Sequence, residues 1–294
     1  PLYLAGLAAA TAAIAGLTLH ADAPWWLWPL VLLPASEIAV SAIHRLIAEW
    51  IAPRALPRLA FDAGIAAAHR VLVAVPCLID DDSEIDALVA RLERQHLASH
   101  EAWAQYALLS DFADAPSQTM PDDAALLAHA ESALQAMNAK HALLPDGAPR
   151  FVLLHRQRQW SDSERCWMGW ERKRGKVEQL IGCLSGEAGS GFIAMPALPA
   201  PTPYLVVLDS DTLLPPGTLR ALVGIAAHPA NTPRVDAALR RVVSGYGVLQ
   251  PRVALPLPRP GSATWFHALS AGQPGLDPYS AASSEVYQDL FGEG

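Results

Sequence analysis

Residues 204–212, which read YLVVLDSDT, decide the fold prediction because a short apolar run leads directly into two carboxylates. Short apolar runs rich in β-branched residues are typical of buried strands. Asp209 and Asp211 follow at the C-terminal end of this strand, where open α/β sheets bind their ligands. Alternate residues of an extended chain point to the same side. We therefore expect both carboxylates to face one Mg²⁺ or Mn²⁺ ion that also holds a diphosphate.

Two other interpretations of this Asp-X-Asp tripeptide stay open. Aspartate is common in the loops that follow strands, where it is solvated and forms turns. A phosphatase-type Asp-X-Asp-X-Thr pattern is the other alternative. It requires threonine four positions after the first aspartate, but that position is Leu213, and Thr212 comes one residue early. The spacing therefore favours the metal–diphosphate site over the phosphatase pattern.

The composition narrows the class of protein. The chain has 294 residues, of which 52% are apolar and 17% charged. This is too apolar for a purely soluble enzyme and too mixed for a polytopic membrane bundle. The net charge of −8 argues against a nucleic-acid partner, which requires a basic footprint. Three cysteines without Cys-X-X-Cys spacing are expected to be free thiols, and the termini Pro1 and Gly294 to be those of a fragment.

The apolar residues concentrate near the N-terminus. Residues 2–19 carry no charge, and residues 25–43 form a second apolar stretch headed by three tryptophans, which suit a membrane interface. The sequence predicts two transmembrane helices within residues 1–52 and a linker over residues 53–68, with membrane lipid as a partner. A buried helical hairpin in a soluble domain is the alternative.

The distribution of arginines predicts the orientation in the membrane. Arg45, Arg54 and Arg58 follow the second apolar stretch, whereas the short connection between the two stretches has no Lys or Arg. Basic residues accumulate on the cytoplasmic side of membrane proteins. We therefore expect residues after about 45 to lie in the cytoplasm, at a bacterial-type inner membrane.

Apolar strand patterns alternate with helical patterns along residues 69–294, which predicts a mostly parallel α/β sheet with flanking helices. The strands are expected at residues 71–78, 103–109, 151–155, 204–208 and 245–251. The helices are expected at residues 83–99, 121–141 and 216–227, and residues 186–203 as an irregular excursion.

A basic cluster precedes the Asp-X-Asp strand. Residues 160–180 carry five of the 21 Lys and Arg residues of this acidic chain, together with tryptophans and glycines. Lys and Arg bind phosphate oxygens directly, and the aromatic rings are suited to stacking on a base or a sugar. The cluster is therefore a candidate diphosphate clamp; the alternative is a solvated basic helix face. Asp111, at the end of the second strand, is a candidate nucleotide contact or a simple turn cap.

Several motifs together resemble the cyclic β-1,2-glucan synthases, from about residue 30 to the end. They are residues 35–40 (ASEIAV), 110–116 (SDFADAP), 167–176 (WMGWERKRGK), 208–212 (LDSDT), 245–252 (GYGVLQPR), 277–279 (DPY) and 286–294 (VYQDLFGEG). The resemblance implies a membrane-bound, processive glucosyltransferase with a GT-A-like domain over residues 69–294. Such an enzyme transfers glucose from UDP-glucose to a growing glucan acceptor on the cytoplasmic side.

The resemblance also implies roles for individual residues. Asp209 and Asp211 match the motif that holds a divalent cation, Mg²⁺ or Mn²⁺, and the donor diphosphate. Asp111 matches a nucleotide contact, and Arg174 and Lys176 match contacts to the donor.

The chain departs from the family at its C-terminus. The sequence reaches Gly294, where the family continues with Gly-Lys-Gly, and the phosphorylase-like C-terminal region of the family is expected to be missing from this fragment. The catalytic base of inverting GT-A enzymes follows the Asp-X-Asp strand, so Glu293 or a residue beyond Gly294 is expected to fill that role. Two further functions stay open: a catalytically incomplete membrane module that binds nucleotide-sugar, and a lipid-linked sugar transferase.

Overall fold

The computed structural model describes residues 2–19, 23–50, 55–187, 191–194, 196, 198, 201–251, 261 and 264–265. The chain divides into two compact units. One contains Pro1–Leu56 with Gln250–Gly294, and the other is Pro57–Leu249.

The first unit contains two apolar helices, α1 (Leu2–Thr18) and α2 (Leu27–Trp50). The Tyr3 hydroxyl lies 2.8 Å from His44 Nε2, which joins the two helices. By length and composition, one helix of the described residues can cross a membrane: α2, over Leu27–His44, with a mean hydropathy of 1.4. A signal sequence near the N-terminus has the same properties. Because α1 is only 17 residues long, the transmembrane hairpin stays a prediction.

The second unit is a mixed α/β domain. Its strands are β1 (Val71–Ile79), β2 (Ala104–Phe112), β3 (Phe151–Arg156), β4 (Gln159–Ser161), β5 (Cys166–Met168), β6 (Phe192–Ala194), β7 (Tyr204–Val207), β8 (Arg234–Asp236) and β9 (Arg241–Ser244). Its α-helices are α3 (Asp82–Ser99), α4 (Asp123–Lys140), α5 (Arg172–Leu184) and α6 (Thr218–Ala227).

The central sheet has the strand order β6-β3-β2-β1-β7. Strands β3, β2, β1 and β7 run parallel, and β6 pairs antiparallel with β3 at one edge. The helix α3 connects β1 to β2 and α4 connects β2 to β3, because neighbouring parallel strands need a crossover connection. The predicted mostly parallel sheet with flanking helices is confirmed.

Alternate residues of the strands build two separate cores, because successive side chains of a strand point to opposite faces. On one face, Val73, Tyr106 and Phe151 pack with apolar residues of α3, α4 and α6. On the other face, Leu109 and Leu154 pack with Leu180 of α5 and other apolar residues. The sheet is covered on both sides, which explains why all nine residues of β2 are buried.

The predicted strand at residues 245–251 is wrong, because this segment contains no strand. The preceding residues Arg241–Ser244 instead form β9, which pairs with β8 in a hairpin. The physical reason is Gly245, which adopts a φ of +73° and so turns the chain out of the extended conformation. A Cβ atom there would lie 2.1 Å from the Thr232 carbonyl oxygen, so only glycine fits.

Two further elements differ from the prediction. The expected irregular excursion, residues 186–203, contains the short strand β6. The second half of the basic cluster lies in the helix α5, which begins at Arg172, whereas the first half lies in the β4–β5 hairpin. Residues 57–59, predicted as linker, pack on the α/β unit, where the Leu59 N–H donates to the Gly224 carbonyl oxygen at 3.0 Å.

Candidate functional site

The candidate site lies at the edge of the sheet where the parallel strands end. Carboxyl ends of parallel strands meet at one edge, and ligands of open α/β sheets bind outside it. Asp111 is the second-last residue of β2, Asp209 follows β7, and the N-terminal turn of α5 carries three cations that reach these strand ends. Residues from three separate segments therefore converge there.

Asp111 is held by two cations in a buried ion network. Arg156 donates from Nε to Oδ1 at 2.7 Å and from Nη2 to Oδ2 at 2.8 Å. The ammonium of Lys176 lies 2.9 Å from the same Oδ2. All three side chains are at most 4% exposed. Bidentate arginine–carboxylate pairs are among the strongest hydrogen-bonded contacts in proteins, so Asp111 is fixed in one position.

Arg156 uses its remaining N–H groups to anchor the start of α5. Nη1 donates to the Trp170 carbonyl oxygen at 3.1 Å and to Gln179 Oε1 at 2.8 Å, and Nη2 donates to the Arg172 carbonyl oxygen at 3.3 Å. All five guanidinium N–H groups therefore have acceptors. The anchor holds a strained entry to the helix, because Arg172 has a φ of +47°.

Three cations of α5 each meet a carboxylate from another segment. Arg172 Nη2 lies 2.7 Å from Asp114 Oδ2, and Lys173 forms an ion pair with Asp209. Lys176 pairs with the buried carboxylate of β2, as described above, and also donates to the Cys77 carbonyl oxygen at 2.8 Å. The N-terminal turn of α5 is therefore joined to the ends of β1 and β2 and to the turn after β7.

Of the two predicted donor contacts on this helix, only Lys176 lies in the cleft. The Arg174 side chain is 78% exposed, and it lies 3.9 Å from Glu171 and from Glu178 on the outer surface of α5. Lys173 and Arg172, one and two positions earlier, line the cleft instead. The sequence cluster does not distinguish these cations, because which of them face the cleft depends on how the helix packs on the sheet.

A cleft of about 240 Å³ opens between these elements. Its lining is Pro76, Cys77, Leu78, Asp111, Phe112, Asp114, Gly169, Arg172, Lys173 and Lys176. Three cations against two carboxylates give this lining one net positive charge. The N-terminus of α5 adds the positive end of a helix dipole. The cleft therefore suits an anionic group such as a diphosphate, and it is smaller than the roughly 300–1,000 Å³ of sites that enclose a whole ligand.

Gly169 keeps this cleft open. A Cβ atom at this position would lie 2.3 Å from Asp111 Oδ2 and 3.0 Å from Arg156 Nη2. Neither group can yield, because each is fixed by the buried ion network. Glycine at this position is therefore a requirement of the Asp111–Arg156 pair.

Asp209 and Asp211 lie in a turn, and not on an extended strand as expected. Strand β7 ends at Val207, and the Thr212 N–H donates to the Asp209 carbonyl oxygen at 2.9 Å. The argument that alternate residues of a strand point to one side therefore does not apply. The turn is held from α3, since Arg91 Nη1 donates to the Ser210 carbonyl oxygen at 3.2 Å.

The donor atoms of this turn are carboxylate oxygens, the type of ligand that hard divalent cations prefer. Asp209 and Asp211 are both exposed, and Asp209 already binds one cation, the Lys173 ammonium. Two carboxylates leave room for diphosphate and water oxygens, which Mg²⁺ commonly retains. Asp80, Asp81 and Glu84 form a group of three acidic side chains after β1; the Asp81 carboxylate is engaged there as the N-cap of α3.

Two buried titratable groups adjoin the cleft from the opposite face of the sheet. Burial raises the pKa of the Cys77 thiol to about 12, so this cysteine stays a protonated, unreactive thiol. Burial lowers the pKa of His155 to about 4. The His155 ring bonds through Nδ1 to the Ser110 hydroxyl at 2.8 Å and packs edge-on against Phe112 with ring centroids 4.1 Å apart.

The candidate catalytic base, Glu293, lies outside the described residues, as do most of the family-like motifs after residue 251. Its position relative to the cleft stays a prediction.

Comparison with known proteins identifies a relative of this chain. No protein-family model matches the chain. The cyclic beta-(1,2)-glucan synthase NdvB of Rhizobium meliloti (strain 1021) is 40% identical over 266 residues. The chain is a relative of this synthase. The resemblance drawn from the motifs is confirmed. The matched region is 90% of this chain but 9% of the synthase, so the chain spans less than a tenth of its relative.

Proposed function

We propose that this chain carries the donor-binding part of a membrane-bound, processive glucosyltransferase that uses UDP-glucose to build cyclic β-1,2-glucan. One observation carries the proposal: a cationic cleft, lined by Arg172, Lys173 and Lys176, lies at the carboxyl edge of a parallel sheet. The similarity to a glucan synthase supports glucose as the transferred sugar. The apolar helix α2 supports membrane association, and the arginines after it support a cytoplasmic site.

The cations of the cleft bind the donor diphosphate in this proposal. Arg172 and Lys173 are exposed enough to reach a ligand, with side chains 58% and 55% exposed. Lys and Arg donate charge-assisted hydrogen bonds to phosphate oxygens. Lys173 exchanges its bond to Asp209 for one to the diphosphate, which frees the Asp209 carboxylate for a cation.

Asp209 and Asp211 are the residues that would hold Mg²⁺ or Mn²⁺ in this proposal, since carboxylates and phosphates together suit such a cation. When bound, the cation neutralises the charge that develops on the departing UDP. Lys176 stays buried beside Asp111 and Cys77 and contributes a fixed positive charge behind the diphosphate.

In this proposal Asp111 accepts a hydrogen bond from the nucleotide, and Arg156 holds the Asp111 carboxylate in position for that bond. Its Oδ2 accepts from both Arg156 and Lys176, whereas its Oδ1 accepts from Arg156 alone. Since a carboxylate oxygen has two lone pairs, Oδ1 keeps one for a uracil or ribose N–H or O–H donor.

Transfer requires a base that removes the proton from the acceptor 2-hydroxyl while this oxygen attacks the anomeric carbon opposite UDP. We propose Glu293 or a residue beyond Gly294 for this role.

The proposal is tested with membranes that contain the chain, labelled UDP-glucose and Mn²⁺. Label in protein-bound or cyclic glucan supports it. Label in the lipid extract would indicate a lipid-linked sugar transferase, and UDP binding without transfer an incomplete binding module.

The cation assignment has its own prediction. Asp209→Asn removes the negative charge that binds the cation, so UDP affinity should no longer increase when Mn²⁺ is added. The measurement is calorimetric UDP titration with and without Mn²⁺. Asp122→Asn is the control, because Asp122 is exposed and its side chain makes no capping hydrogen bond to α4. An unchanged Mn²⁺ response in Asp209→Asn would rule out the metal site.

A further inference from the structure

Two tryptophans occupy one face of the β4–β5 hairpin. Trp160 and Trp167 are directly paired across this antiparallel ribbon, so their side chains share a face. Their rings pack edge to face with centroids 5.9 Å apart. Trp160 is nevertheless 49% exposed. Aromatic side chains commonly line ligand sites, so a pair of indoles that stays partly open to solvent is a candidate binding surface.

The hairpin holds these rings in a fixed orientation. Trp160 Nε1 donates to Asp162 Oδ1 at 2.8 Å, which orients the indole. The Trp167 N–H and carbonyl oxygen pair with the backbone of Ala115, both at 2.9 Å. Because these groups are already fixed, little conformational entropy is lost when a ligand binds to them, and this favours affinity.

The hairpin is continuous with the cleft on both sides. Strand β5 ends at Met168 and is followed directly by Gly169, which lines the cleft. Ala115, the backbone partner of Trp167, directly follows Asp114, another cleft-lining residue. Trp170, 40% exposed, follows at the start of α5. The hairpin is therefore joined through its backbone to two cleft-lining residues, Gly169 and Asp114.

We propose that Trp160 and Trp167 form a platform for the glucan acceptor, with the C–H-rich face of a glucose ring stacked on the Trp160 indole. This inference rests on the proposed function, since it takes the growing glucan as the second substrate. It adds a sugar-binding site outside the cleft that holds the donor.

The surroundings of the platform favour a sugar over a lipid surface or a second anion. The connection between the strands contains Asp162, Ser163, Glu164 and Arg165, all exposed. Their hydroxyl, carboxylate and guanidinium groups can bond sugar hydroxyls. Two acids against one arginine leave this tip with one net negative charge, which repels phosphate groups and anionic lipid headgroups.

The test measures binding of a soluble, linear β-1,2-linked gluco-oligosaccharide to the whole chain in detergent micelles by calorimetry, with UDP titrated separately. Trp160→Ala should weaken oligosaccharide binding by about five- to tenfold and leave UDP affinity unchanged. Trp160→Phe, which retains a flat ring, should lose about two- to threefold. Trp50→Ala is the control, because Trp50 is 84% exposed on α2, far along the sequence from the hairpin.

Each outcome decides one of the two proposals. Equal oligosaccharide affinity for the unmodified chain and Trp160→Ala, or no binding by the unmodified chain, overturns the platform. If Trp160→Ala also loses UDP binding, the Trp160→Phe variant decides. A loss of oligosaccharide affinity at unchanged UDP affinity in Trp160→Phe supports the platform. Equal effects on both affinities in Trp160→Phe overturn it. Oligosaccharide binding that depends on Trp160 in a chain without UDP affinity supports the platform and contradicts the donor site.

Discussion

Two positively charged side chains bind the single carboxylate of Asp111, so its one negative charge does not neutralise both of them. Arg156 and Lys176 both bind this one carboxylate, and none of the three side chains is more than 4% exposed. Removing a charge from water is costly, and a buried ion without a partner is costlier than a buried pair. The carboxylate therefore matters to the fold as well as to any nucleotide that binds beside it.

We predict that Asp111→Asn destabilises the α/β unit by about 3–5 kcal/mol, the usual cost of breaking a buried ion pair. Asparagine keeps the shape of the side chain but leaves two buried cations without a counter-charge. The measurement is chemical denaturation followed by circular dichroism.

Asp114→Asn is the matched control, because Asp114 pairs with Arg172 at the surface, where the two side chains are 36% and 58% exposed. Exposed pairs contribute at most about 1 kcal/mol. Similar losses of stability in Asp111→Asn and Asp114→Asn would show that the buried network does not stabilise the fold.

The helix α5 is the element that turns a basic sequence cluster into a candidate site. Two consecutive residues, Lys173 and Arg174, have the same charge but different surroundings. Lys173 lines the cleft and pairs with Asp209, whereas Arg174 lies on the outer surface among glutamates. Consecutive side chains of an α-helix lie about 100° apart around the helix axis, so Lys173 faces the cleft whereas Arg174 faces solvent.

We predict that Lys173→Gln weakens UDP binding by about tenfold, because one charge-assisted bond to a phosphate oxygen is lost. Arg174→Gln should change UDP affinity by less than about twofold, since an exposed charge at this distance is screened by salt. Calorimetric titration of UDP against both variants provides the measurement. A larger loss of UDP affinity in Arg174→Gln than in Lys173→Gln would contradict the choice of Lys173 and support Arg174 as the donor contact, as the sequence predicts.

The strands of the central sheet were predictable because they are short apolar runs, and helical patterns separate these runs. Strands β1, β3 and β7 and helices α3, α4 and α6 lie close to their predicted bounds. Helix α5 was not predicted outright, because charges and Gly175 interrupt its apolar pattern. That glycine is needed: a Cβ atom there would lie 2.1 Å from the Trp170 carbonyl oxygen.

The pairing of charges across the site was not predictable from the sequence. Asp111 meets Arg156, 45 residues later, and Lys176 reaches Cys77, 99 residues earlier. Such contacts depend on the strand order β3-β2-β1-β7, which local patterns do not encode. Asp111 itself was placed correctly at the carboxyl edge of the sheet, but its two cationic partners became visible only in the folded chain.

At the scale of the whole molecule, the α/β unit encloses two histidines that stay neutral. Burial lowers the pKa of both His155 and His96 to about 4. For His155, the carboxylates of Asp111 and Asp123 oppose this shift, while Lys176 and Arg158 add to it. An unfolded histidine has a pKa of about 6.5. Between these values the unfolded chain binds protons that the folded chain excludes.

We predict that the α/β unit loses stability as the pH falls from about 6.5 to about 4, because the unfolded state binds more protons in this range. The loss levels off below pH 4, where both states are protonated. For His155 alone, the free energy of unfolding falls by about 2 kcal/mol between pH 7 and pH 5.

His155→Asn removes the titrating ring, so its midpoint of thermal unfolding should fall less over this pH interval than that of the unmodified chain. His129→Asn is the control, since His129 lies on α4 beside Asp86 with its side chain 35% exposed, and this variant should keep the dependence that His155 contributes. Equal slopes in all three proteins would show that His155 is protonated as readily in the folded chain as in the unfolded one.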